Sequence, residues 1–403
     1  MKLLILVCTA LLLTGCASSP QGETEAPATV FPTVTETTAP ETEPEPTLSP
    51  EETILNSMTL RQKVGQLFLV RPDALNLGLS PAEIEDPNFP GATEVTAALA
   101  QNLEQYPVGG FVQFSKNILD PDQLSAFNRQ LSLSLPIPPF ISVDEEGGAV
   151  ARLGNTPSFS LPRYPSAGAV CAEGQSPAAL DMGLTIGDYL RRFGFNMDFA
   201  PVADVNTNPR NLVIGTRAFS SDPQLAAECA RAMADGLTEN GIIPVFKHFP
   251  GHGDTGEDSH KGLAVSNKTI DEMESCEWLS FRQAGSLDCI MVGHIALPQV
   301  TGDMIPATLS YPITAGLLRT QLGFEGLIIT DSMTMGAITQ DYTSSQAALL
   351  ALEAGCDLIL MPQSLPEAFD GVVEAVESGS FPEYELDETV LRILRFKKAH
   401  GIL

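Results

Sequence analysis

Eight short apolar runs recur along the chain, at residues 65–70, 110–114, 139–143, 196–201, 242–246, 289–293, 326–330 and 357–361. Each is rich in large apolar side chains, the pattern of a strand buried on both faces. Between them lie segments whose apolar residues recur at helical spacing, as at 178–193, 223–240, 344–354 and 386–399. Gly355 and Gly401 stand where two of these helices should stop. Strands alternating with helices predict a parallel sheet. Eight such units predict an α/β fold, a single (β/α)8 TIM-type barrel. A doubly wound open sheet is the alternative. No internal repeat and no second globular domain is expected.

The polar residues punctuate this pattern unevenly. Asp144, Asp204, Lys247 with His248, His294 and Asp331 follow the apolar parts of five different runs. The starts of the runs carry mostly Gly, Pro and Cys. In a parallel barrel the strand C-termini converge on one face, so these groups should meet around one site.

The N-terminus follows neither period. Lys2, the apolar stretch 3–13 and the sequence Leu13-Thr-Gly-Cys16 read as a lipoprotein signal peptide, residues 1–16, ending at a lipobox-like cysteine. The apolar stretch is too short for a stable transmembrane helix. Cys16 is the expected lipidation site, which predicts an extracytoplasmic protein anchored by lipid to the bacterial cell membrane. Residues 17–50 are rich in Pro, Thr, Ser and Glu and nearly devoid of large apolar residues. Such a segment buries too little surface to offset ordering, so a disordered linker is expected before the barrel at 51–403.

The formal net charge of −28 argues against nucleic acid as a partner and favours short or neutral ligands over anionic polymers. Beyond Cys8 and Cys16 lie Cys171, Cys229, Cys276, Cys289 and Cys356. An odd number with no C-x-x-C spacing argues against a disulfide scaffold and a zinc ribbon, and buried free thiols are expected.

The densest chemistry is the segment Lys247-His-Phe-Pro-Gly-His-Gly-Asp-Thr-Gly-Glu-Asp-Ser-His260, which holds three of the five histidines. It resembles the signature of family 3 glycoside hydrolases, in the branch of bacterial β-N-acetylhexosaminidases. Val143-Asp-Glu-Glu-Gly-Gly148, Phe199-Ala-Pro-Val-Ala-Asp-Val205, Ile214-Gly-Thr-Arg-Ala-Phe219 and Ile329-Thr-Asp-Ser-Met-Thr-Met335 resemble further blocks of that family in order. Ala149 stands where the family has Arg, and Glu145 where it has Gln; both bear on substrate contacts.

The resemblance implies a retaining exo-enzyme acting on N-acetylglucosamine-containing oligosaccharides or muropeptides, without cofactor or metal. Asp331 would be the nucleophile. A helix N-cap is the structural alternative for it. His260 would be the acid/base, with Asp258 orienting its ring. Asp144, Arg217, Lys247 and His248 would hold sugar hydroxyls, with a plain salt bridge as the alternative for Arg217. His252 and Asp254 are expected to shape the loop, and His294 either lines the pocket or sits satisfied in the core. Gly251, Gly253, Gly256 and Gly262 suggest a mobile loop. A metal hydrolase is disfavoured because no H-x-H ends the first run and no H-E-x-x-H spacing occurs. A non-catalytic sugar-binding lipoprotein and a family 3 β-glucosidase or phosphorylase are the remaining alternatives. Oligomeric state is not encoded in any of these features.

Overall fold

The computed structural model describes residues 48–256 and 262–403. Eight parallel strands occupy the predicted runs: β1 (Phe68–Val70), β2 (Gly110–Gln113), β3 (Phe140–Val143), β4 (Met197–Asp198), β5 (Ile243–Phe249), β6 (Cys289–Val292), β7 (Leu327–Thr330) and β8 (Ile359–Leu360). Every residue in them is buried, as unalternating apolar runs require. β1 pairs in parallel with β2 on one side and with β8 on the other. A parallel bridge between Ile329 and Leu358 links the last two strands. The result is a nearly closed parallel barrel of TIM type and not an open doubly wound sheet.

Helices cover the outside. α1 (Ala167–Arg192) and α2 (Pro223–Glu239) flank β4, and α3 (Glu383–Ala399) closes the described chain. Local chemistry explains α2. Asp222 caps it by accepting from the Leu225 amide at 2.9 Å, and Pro223 opens it. Ala226, Ala230, Met233 and Leu237 form its buried stripe. Gly355 and Gly401 adopt positive φ where two helices stop, as expected.

One expectation fails. Cys171 on α1 and Cys229 on α2 form a disulfide, where the spacing had pointed to free thiols. Sequence separation carries no information about which helices lie side by side, and here the fold brings two cysteines 58 residues apart into contact. Cys289 and Cys356 are buried free thiols, and Cys276 is partly exposed.

Candidate active site

A cavity of about 230 Å³ opens at the C-terminal ends of the barrel strands. Asp144, Arg217, Lys247, His248 and Asp331 all line it, although they come from four different strand ends. His260 and Asp258 lie outside the described residues, as does Cys16.

The floor is an ionic cluster. Lys247 Nζ lies 2.8 Å from Asp144 Oδ1 and 2.6 Å from Glu146 Oε1. Arg217 donates from Nε and Nη2 to the two oxygens of Glu146, at 2.8 and 2.7 Å. Its Nη1 donates to the Val213 carbonyl at 2.9 Å. Arg152 reaches Asp144 Oδ2 at 3.4 Å. Burial pushes the Asp144 carboxyl upward, but Lys247 and then Arg152 outweigh it and hold it below the ordinary carboxylate range. Burial opposes ionisation of Glu146 too, yet Lys247 and Arg217 bring its pKa down to about 2. The two cations are raised in turn: burial lowers both, while Asp144 and Glu146 raise Lys247, and Glu146 raises Arg217. All four groups are therefore charged at neutral pH. They present fixed donors and acceptors of both signs, the equipment for gripping a neutral polyol.

Lys247 and His248 are consecutive residues of β5, and ideal alternation would send them to opposite faces. Here the register against β6 shifts between Lys247 and Phe249. The Lys247–His248 peptide is cis, and both side chains line the cavity. Behind them sits Asp204, fully buried. Its Oδ2 accepts from His248 Nδ1 at 2.7 Å and from the His248 amide at 3.2 Å. Its Oδ1 accepts from the His252 amide at 2.6 Å. His252 also lines the cavity. Its Nδ1 lies 2.6 Å from Thr255 Oγ1. Burial and the nearby His248 lower its pKa.

Asp331 follows β7. Its Oδ1 accepts from the Ser332 amide at 2.7 Å. The next helix starts at Gly336 with Met335 at its N-cap, so Asp331 is not a helix cap. His294 is buried and satisfied: Nε2 donates to the Ser332 carbonyl at 2.9 Å, and Nδ1 lies 2.7 Å from Thr308 Oγ1. It therefore braces the turn that carries Asp331 and does not line the cavity.

Several sequence readings are sharpened. Arg217 is both a salt-bridge partner and a cavity-lining group. Asp254 is a loop-shaper, accepting from Ser266 Oγ at 2.8 Å. Gly253 answers a packing need and not mobility, since a Cβ there would lie 1.7 Å from the Val205 carbonyl oxygen. Glu145 faces away from the cavity. It accepts from the Leu153 and Gly154 amides, each at 2.8 Å, and from the Tyr189 hydroxyl at 2.7 Å. Ala149 is exposed. Neither Glu145 nor Ala149 is a member of the ionic cluster.

Sequence reasoning missed Glu146, assigned Arg152 no contact, and expected Asp204 at the site without naming what it holds. A signal for Glu146 was present: residues two apart in an extended segment share a face, so Asp144 and Glu146 should point the same way. Arg71, at the end of β1, also lines the cavity. Its guanidinium stacks 3.8 Å from the Phe114 ring centroid.

Comparison with known proteins identifies the family and the fold. The family model described as Glycosyl hydrolase family 3 N terminal domain matches residues 59–396. The chain is 30% identical over 332 residues to Beta-hexosaminidase A of Pseudoalteromonas piscicida, covering 76% of this chain and 56% of that protein. It is 36% identical over 272 residues to Beta-hexosaminidase LpqI of Mycobacterium tuberculosis, covering 65% and 69%. A solved glycoside hydrolase family 3 beta-N-acetylglucosaminidase from Paenibacillus sp. str. FPU-7 superposes with a TM-score of 0.78 at 34% identity, over 86% of this chain and 63% of that one. The chain thus spans just over half the length of the Pseudoalteromonas relative.

Proposed function

Because the chain belongs to glycosyl hydrolase family 3, we propose that it is a retaining exo-β-N-acetylhexosaminidase. It removes terminal β-linked N-acetylglucosamine from a cell-wall or chitin-type glycan. The observation that carries this reading is the placement of Asp331 on the wall of the same cavity as the Asp144–Glu146–Lys247–Arg217 cluster. β7 lies four strands from β3 around the barrel, so a sugar held by the cluster through its hydroxyls turns its reacting end toward Asp331.

The Asp331 carboxylate attacks the anomeric carbon as the glycosidic bond breaks, giving a glycosyl–Asp331 ester. His260 protonates the departing oxygen, and Asp258 orients the imidazole. His260 then takes a proton from water as that water cleaves the ester. His248, whose Nδ1 is engaged by Asp204, offers Nε2 to a sugar hydroxyl. A cavity of about 230 Å³ suits a single terminal sugar.

We further propose that the enzyme works outside the cytoplasm, anchored by lipid to the cell membrane, a reading supported by the lipobox-like sequence at Cys16 and the Pro/Thr/Glu-rich segment after it. The Cys171–Cys229 disulfide supports an oxidising compartment. Among the described residues no helix is long and apolar enough to cross a membrane.

One assay tests the activity. Chromophore release is compared for an aryl β-N-acetylglucosaminide and the matching β-glucoside, with and without inorganic phosphate. Faster release from the N-acetylglucosaminide, independent of phosphate, is expected. Preference for the glucoside, or a requirement for phosphate, would overturn the assignment to hydrolysis of N-acetylglucosaminides.

A further inference from the structure

The Cys171–Cys229 disulfide lies outside the cavity, on the helices behind its wall. α1 is not one continuous helix. Gln175 has φ 54° and ψ −147°, and Pro177 follows, so residues 167–174 form a separate piece. Cys171 sits in that piece. The longer remainder of α1 is locked to α2 without help from sulfur: a Cβ on Gly183 would lie 2.2 Å from the Met233 carbonyl oxygen, so the backbones pack directly. The disulfide therefore adds its constraint mainly to residues 167–174.

This short piece packs against backbone close to both members of the Arg217–Glu146 pair. A Cβ on Gly168 would lie 3.0 Å from the Ala218 carbonyl oxygen and 3.4 Å from that of Thr216, the residues on either side of Arg217. A Cβ on Gly148 would lie 2.9 Å from Ser166 Cα, at the N-cap of the same piece. Gly148 is two residues beyond Glu146. The helical piece is thus wedged between the two backbones whose side chains form the bidentate ion pair.

We propose that the Cys171–Cys229 disulfide positions Arg217 and Glu146, and that its reduction is a redox-sensitive control on how tightly the cavity holds sugar hydroxyls. The claim rests on the proposed function for the identity of the ligand. The reductant is a dithiol. One of its thiolates attacks Sγ of Cys171 or Cys229, the Sγ–Sγ bond breaks, and its second thiol displaces the mixed disulfide. Two electrons and two protons pass to the protein, which then carries two thiols, and the dithiol leaves as a disulfide. Both cysteines are fully buried, so exchange proceeds through local opening of residues 167–174.

The test uses the full chain, oxidised and after reduction by a dithiol with alkylation to lock the thiols, beside a Cys171→Ala, Cys229→Ala double variant. Hydrolysis of an aryl β-N-acetylglucosaminide and amide hydrogen exchange are both measured. KM should rise about five-fold or more, with kcat within about two-fold, because the chemistry at Asp331 is untouched. Exchange should quicken in peptides spanning 146–150 and 213–219 and stay unchanged in β6 and β7. Unchanged KM and exchange in fully reduced, folded protein would overturn the proposal. So would a global loss of exchange protection, which would make the bond a general staple. An oxidised protein with no glycosidase activity would instead sink the proposed function, and the exchange comparison would still decide the positioning claim.

Discussion

Asp204 holds His248 by two bonds to one oxygen, 2.7 Å from Nδ1 and 3.2 Å from the backbone amide. Its other oxygen takes the His252 amide at 2.6 Å. A buried carboxylate thus organises two cavity-lining histidines without lining the cavity itself. An amide has only one acceptor oxygen, so Asp204→Asn turns an NH2 group toward at least one of these N–H donors. A loss of about 1–3 kcal/mol in stability is expected, together with a higher KM from a misoriented His248. Urea denaturation and Michaelis kinetics check both, and an unperturbed KM would remove the positioning role.

Replacing the proposed nucleophile separates binding from chemistry. Asp331→Asn should lose on the order of a thousand-fold in turnover yet keep its fold and its sugar affinity, because the carboxylate acts chiefly in the transition state. A 2-fluoro or 5-fluoro glycosyl inactivator should label Asp331, read by peptide mass spectrometry. Labelling of another carboxylate would reassign the nucleophile.

The acid is tested through leaving groups. His260→Ala should cripple cleavage of sugar aglycones by roughly a hundred-fold or more. Aryl glycosides with acidic phenols need no proton to leave, so formation of the intermediate should suffer much less. Breakdown of the intermediate still needs the base, so a burst should appear. Asp258→Asn should show a weaker form of the same pattern. The measurement is log rate against leaving-group pKa, and a His260→Ala line parallel to wild type would hand the role to another residue.

At the opposite end of the barrel, Lys397 is fully buried with only neutral partners. Its Nζ donates to Gln66 Oε1 at 2.9 Å and to the Gly109 carbonyl at 3.0 Å, and lies 4.7 Å from the Phe140 ring centroid. Burial pushes its pKa from an ordinary 10.5 down to about 7. Between those two values the unfolded chain binds the extra proton. Stability should therefore rise with pH across that window, by on the order of 1 kcal/mol per unit. Lys397→Met should lack this slope. Denaturation midpoints of both proteins from pH 7 to 10 give the comparison, and identical slopes would refute it.

The anchor is tested by fractionation. Cys16→Ser should move the protein from the membrane to the soluble fraction while the released barrel keeps its activity. Equal membrane retention would remove the lipoprotein assignment.

All eight barrel strands were legible in the sequence, because strands buried on both faces need unbroken apolar runs and those runs announce themselves locally. The convergence of Asp144, Lys247, His248 and Asp331 was legible as well, since a parallel barrel gathers strand C-termini whatever the loops do. Three matters were decided only in the tertiary structure. The disulfide depended on which helices became neighbours, a fact that cysteine spacing does not carry. Lys247 and His248 share the cavity at a point where the register of β5 against β6 slips, between Lys247 and Phe249, and alternation alone would have separated them. Arg217 and Glu146, 71 residues apart, form a bidentate pair because the fold brings the segments after β3 and β4 together over the cavity. Local patterning sets strands and strand ends because it acts on a few adjacent residues. Pairings between loops follow from the packing of the whole barrel, and no stretch of the chain holds that information by itself.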